Sequence, residues 1–138
     1  MTRLISLILT ATSLAACAAG MAGPQPRSLR AENELKQALG EKVAGHPVDC
    51  LQSRSSGDMQ IIDDNTILVR EGRGTYVQTS HGSCAPLGSG TYTLVTQSFG
   101  GMGLCRGDIA RVVDLRGGIT VGSCSLDSFV PFERPGRS

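Results

Sequence analysis

The stretch Met59–Ser80 reads MQIIDDNTILVREGRGTYVQTS, and it holds three short runs rich in β-branched and apolar residues. MQIID and TILVRE flank Asp64-Asn65, a pair suited to a hairpin turn. TYVQTS then follows Gly-Arg-Gly at 72–74. Two successive hairpins make this segment an antiparallel meander.

The same pattern continues towards the C-terminus. TYTLVTQ follows Gly-Ser-Gly at 88–90. ARVVDL and ITVGSC are joined by Arg116-Gly117-Gly118, whose glycines suit the positive φ of a tight hairpin. A last strand, SLDSFVPF, is expected to end at Pro131. Turn signals about every 8–12 residues predict a mainly β fold, a small antiparallel barrel or sandwich, over residues 46–134. The tail at 135–138 is expected to be disordered.

Upstream the period changes. Residues 29–45 form an expected amphipathic helix capped by Ser28, with Glu32 and Glu34 near its N-terminal end. Leu35, Leu39 and Val43 make an apolar stripe that would pack on the β domain, and Gly40 weakens the helix. Residues 17–28 are small and Gly/Pro-bearing, which reads as a flexible tether.

The first 16 residues carry a different message. Arg3 precedes the uncharged apolar run Leu4–Ala16, too short for a bilayer span of about 20 residues. This is the layout of a signal peptide over residues 1–16. Its end, Leu14-Ala15-Ala16-Cys17, resembles a bacterial lipobox. That resemblance implies acylation of Cys17, with membrane lipid as partner, and Ala18 points to the outer membrane; the alternative is cleavage after Ala18 by the ordinary signal peptidase, which would discard Cys17. Two or more acyl chains anchor stably, where one binds only marginally.

The chain carries 13 Lys and Arg against 12 Asp and Glu; loss of Arg3 with the leader leaves a formal charge of zero. Without excess positive charge to neutralise phosphates, nucleic acid is not an expected partner. A periplasmic envelope protein or ligand is.

Besides Cys17 there are four cysteines, Cys50, Cys84, Cys105 and Cys124. An even number in an exported chain implies two disulfides, with three possible pairings. The nested one is expected: Cys84–Cys105 stapling the loop after Cys84, inside Cys50–Cys124 joining the first and last strands. Loop-closure entropy assigns each about 3–4.5 kcal/mol.

Chemistry-bearing motifs are few. His81 lies three residues before Cys84, yet no CxxC accompanies it, so no metal and no cofactor are expected. Asp63-Asp64 could pair as catalytic carboxylates, but turn residues bonding the local backbone are the expected role. Gly100-Gly101-Met102-Gly103 lacks the context of a phosphate loop. Arg106-Gly107-Asp108 spells RGD. His81 beside Ser80 and Ser83 offers a hydrolase fragment without a placed carboxylate. No enzyme is expected; a small hydrolase stands third behind a binding or structural module and an inhibitor of a lysozyme or protease. The segment GSGTY at 88–92 is distantly similar to the Ser-Gly loop of lysozyme inhibitors.

The cysteine contexts PVDCL, GSCAPL, GLCRGD and GSCSLDSFVPF, with IIDDNTIL between the first two, resemble one family taken together. It is the family of small exported proteobacterial proteins and lipoproteins classed as a domain of unknown function. The likeness spans residues 46–133. It implies export and a disulfide framework, and makes Arg106 a variable residue within a Cys-x-Gly-Asp pattern.

Overall fold

A computed structural model describes residues 26–51, 58–82, 84–97 and 103–136. Cys17 and the leader therefore lie outside the described residues, as does the glycine-rich 100–102.

The chain opens with helix α1, Leu29–Leu39. The Ser28 hydroxyl accepts from the Ala31 N–H at 3.2 Å, as its position at the helix start predicts. The expected extension to residue 45 is corrected. Gly40 takes φ +58°, a left-handed-side conformation closed to a continuing helix, and its N–H bonds to the Lys36 carbonyl. Beyond it, Val43–Ala44 become strand β1. Val43 is thus 54 % exposed rather than on the helix stripe.

Nine further strands follow: β2 Cys50–Leu51, β3 Asp58–Ile61, β4 Thr66–Glu71, β5 Gly74–Thr79, β6 Tyr92–Gln97, β7 Leu104–Cys105, β8 Ile109–Asp114, β9 Thr120–Ser125 and β10 Phe129–Glu133. They pair antiparallel throughout. The hairpins read from the quoted stretch form the β3-β4-β5 side of a five-stranded sheet ordered β1-β10-β5-β4-β3. A second sheet is ordered β6-β8-β9, and β2 pairs with β7. The sheets stack in a sandwich-like arrangement and do not close into a barrel.

Pro131 does not end the last strand as expected. It lies inside β10 opposite Tyr76, and its carbonyl accepts from the Gly45 N–H at 2.8 Å. A residue's N and C=O face the same neighbour in such a ladder, so the missing N–H faces the β1 side, where pairing is only two residues long.

The five-stranded sheet is covered on both faces, which explains why β4 reads as a continuous apolar run. Ile67, Val69 and Phe129 pack with Ala110, Val112 and Cys124 of the second sheet. Leu68 and Val77, on the alternate face, pack with Ala31, Leu35, Ala38 and Leu39 of α1. The core is aliphatic, with Phe129 its largest fully buried side chain. Pro135 and Gly136 form a turn after β10.

Candidate functional site

The cysteines settle first. Cys50 bonds to Cys105 and Cys84 to Cys124, so the nested pairing is corrected to an interlaced one. The reason is strand register. Cys50 and Cys105 are direct partners on β2 and β7. Cys84 follows His81, which bridges to Ser125, the neighbour of Cys124 on β9. Cys84 and Cys124 are buried, whereas Cys50 is exposed.

Charges lie near each disulfide, at matching register positions beside the first. Next to the first, the Arg106 N–H donates to the Asp49 carbonyl at 2.6 Å, and the Arg106 guanidinium lies 3.7 Å from the Asp49 carboxylate. Three residues out from the second, His81 Nε2 lies 2.8 Å from Asp127 Oδ2. Arg106 Nε is 3.5 Å from the other Asp127 oxygen, so one cluster joins both flanks. The Ser128 backbone N–H holds the Asp127 carboxyl below its ordinary value; slight burial opposes this, and His81 and Arg106 add to it.

This cluster supplies the carboxylate that sequence reading could not place beside His81. No local signal in the sequence places it: His81 bridges Ser125 across the chain, two residues before Asp127. Of the two serines, Ser80 does not join them. Ser80 is buried, and its hydroxyl donates to Gln78 Oε1 at 3.3 Å; Ser83 lies outside the described residues. Among the described residues, the His81 imidazole has Asp127 as its one side-chain partner. Among the described residues, no hydroxyl is hydrogen-bonded to this imidazole. His46 is exposed. No group of three or more His, Cys, Asp or Glu among the described residues is arranged to hold a metal.

The RGD tripeptide is a turn between β7 and β8. Asp108 is only 7 % exposed, and its carboxylate accepts from the Cys105 N–H at 2.8 Å. A buried, locally bonded aspartate cannot reach a partner's cation, so the tripeptide shapes the turn.

Asp63 and Asp64 likewise serve structure. Asp63 Oδ1 accepts from the Asn65 N–H at 2.9 Å, and Oδ2 accepts from Arg27 Nε at 2.9 Å. Arg27 also donates to Thr66 Oγ1 at 2.9 Å, pinning the chain just before α1 to this turn. Burial pushes the Asp63 carboxyl up, but the Asn65 N–H, Arg27 and Thr66 outweigh it and hold it below the usual range. Asp64 Oδ1 accepts from the Gly88 N–H at 2.7 Å. A Cβ on Gly88 would lie 3.1 Å from that oxygen and 3.3 Å from backbone atoms of residues 63 and 64. Only glycine fits this approach without displacement.

Gly88–Gly90 form an exposed loop, followed by half-buried Thr91 and by Tyr92, the first residue of β6. Leu87 anchors it in the core, and the Ser89 and Thr91 hydroxyls lie 3.1 Å apart. The Thr91 carbonyl then accepts from the Leu115 N–H at 3.1 Å, joining this loop to the β8–β9 hairpin. That hairpin, residues 115–119, exposes Leu115 by 63 % and Ile119 by 65 %. Val95, Ile109 and Val121 on the second sheet are exposed as well.

No protein-family model matches the chain, and neither a curated protein nor a solved structure matches it. No helix among the described residues is long and apolar enough to cross a membrane.

Proposed function

We propose that this protein is a lipid-anchored module of the bacterial cell envelope, facing the periplasm from the outer membrane and acting by binding or structure rather than catalysis. The observation that carries this reading is Leu14-Ala15-Ala16-Cys17 after an uncharged apolar run. Two disulfides support an oxidising compartment. The likeness of the four cysteine contexts to small exported lipoproteins points the same way. With Cys50, Cys84, Cys105 and Cys124 all bonded, no domain thiolate is free to act as a nucleophile. The test is Cys17→Ser: the wild type fractionates with membranes, and the variant moves to the soluble periplasmic fraction. Unchanged membrane association defeats the reading.

A second reading is inhibition of a lysozyme or protease by the 88–91 loop. It is supported by the loop's exposure and its fixed seat on Leu87 and Asp64. Ser89→Trp would abolish inhibition if it exists; a lysozyme unaffected by micromolar excess of the wild type dismisses it.

A further inference from the structure

We propose that the β8–β9 hairpin tip, Leu115 to Ile119, rests on the bilayer surface to which Cys17 is anchored. The domain then lies against the membrane through this tip instead of swinging on its tether. The inference rests on the anchoring reading and adds an orientation to it.

Contiguity is the first support. Arg27 marks where the N-terminal segment meets the domain, and it is bonded to Asp63. Asp64 holds Gly88, and Thr91 holds Leu115. Three surface turns, 62–65, 87–91 and 115–119, thus run side by side from the point of attachment to the apolar tip.

Reach is the second. Ten residues separate Cys17 from Arg27. Fully extended they span at most about 33–36 Å. That is comparable with the diameter of a domain of this size, whose radius of gyration is about 13 Å. A tether of that length keeps the attachment side within about one domain diameter of the lipid.

Chemistry is the third. Leu115 and Ile119, each more than 60 % exposed, stand four residues apart on one turn and present an apolar patch. Leu115 to Ile119 are exposed throughout, with Arg116-Gly117-Gly118 between the two aliphatics. Apolar side chains presented in this way can seat about 5–10 Å into the boundary between headgroups and acyl chains. Arg116 sits between the aliphatics and, among the described residues, has no ion-pair partner; its long stem lets the guanidinium reach the headgroup layer. The Asp114 carboxylate accepts from the Arg116 N–H at 3.0 Å on the same hairpin. The two charges offset each other, so apolar contact dominates and a zwitterionic bilayer suffices.

The experiment uses the mature chain from Cys17 onward, coupled through that thiol to a maleimide lipid in phosphatidylethanolamine–phosphatidylglycerol vesicles. This coupling fixes the tether whether or not cells acylate Cys17, so failure of the anchoring reading and failure of this one are separable. The protein has no tryptophan, so Ile119→Trp and, separately, Leu115→Trp each report alone. Val43→Trp is the control; Val43 is exposed and lies at the opposite end of the five-stranded sheet from the 62–65 turn. Brominated lipid should remove about half or more of the emission at either tip position, as for a residue seated at the acyl boundary. The control should keep its emission. In the unsubstituted chain, amide exchange across 115–119 should slow on coupling. Tip quenching no greater than the control's, with exchange unchanged, overturns the proposal and leaves the tip free for a protein partner.

Discussion

Cys50 and Cys105 stand directly opposite each other on β2 and β7, their Cα atoms 4.1 Å apart, and are bonded across that register. The pair β2–β7 is only two residues long, so the covalent bond holds together what its hydrogen bonds alone could not.

Peptide mapping without reductant should therefore link the Cys50 peptide to the Cys105 peptide, and Cys84 to Cys124. Closing chain separations of 55 and 40 residues contributes about 4 kcal/mol apiece by loop entropy. The two bonds should not respond alike to dithiothreitol. Cys50 is exposed while Cys84 and Cys124 are buried, so Cys50 and Cys105 should be reduced and alkylated first. Equal labelling of all four at early times would contradict the burial argument.

The Arg27–Asp63 contact should make stability acid-sensitive. Asp63 has a folded value held below its ordinary one. Its contribution is then complete above the unfolded carboxylate value of about 3.9 and disappears as the pH falls through the lower folded value. Asp63→Asn should cost about 1 kcal/mol at pH 7, measured by urea unfolding, for a half-buried carboxylate losing charge-assisted bonds. Below pH 3 the difference from wild type should shrink. A constant difference from pH 7 to 2 would show that the carboxylate's charge is not what matters.

The β meander was legible because alternation and turn residues act locally: Asp64-Asn65 and the 116–118 hairpin fall where the residues say. The disulfide pairing was not, because it depends on which strands become neighbours, and that is set by packing between distant segments. The His81–Asp127 contact was hidden for the same reason; the two lie 46 positions apart in the chain, and the bridge between His81 and Ser125 brings them together. The helix end was partly legible. Gly40 marks a weak point in the helix, but local propensity does not show that β10 recruits Val43 and Ala44.

Within Arg106-Gly107-Asp108 the two charged residues should behave differently. Asp108→Ala removes the buried acceptor of the Cys105 N–H and should cost about 1–3 kcal/mol. Arg106→Ala breaks exposed contacts at 3.5 and 3.7 Å and should cost less than about 1 kcal/mol. Thermal melts of both variants decide this. Equal, small losses would mean that Asp108 is not fixing the turn.

Helix α1 gives the last contrast. Ala31 is 3 % exposed against Ile62, Leu68 and Val77, whereas Leu29, two residues earlier, is 84 % exposed. The close approach of the helix to the sheet rests on the small side chain at position 31. Ala31→Leu adds bulk to a filled site and should destabilise by about 1–3 kcal/mol despite the better burial of a larger residue. Leu29→Ala should change stability by less than about 0.5 kcal/mol, since no packing is lost. Chemical denaturation of the pair separates a docked helix from a merely adjacent one. If the helix is docked, the order of the two losses follows burial and not hydrophobicity. If Ala31→Leu were neutral, the helix would be able to ride outward, and the layer it forms over Leu68 and Val77 would not be part of the cooperative core.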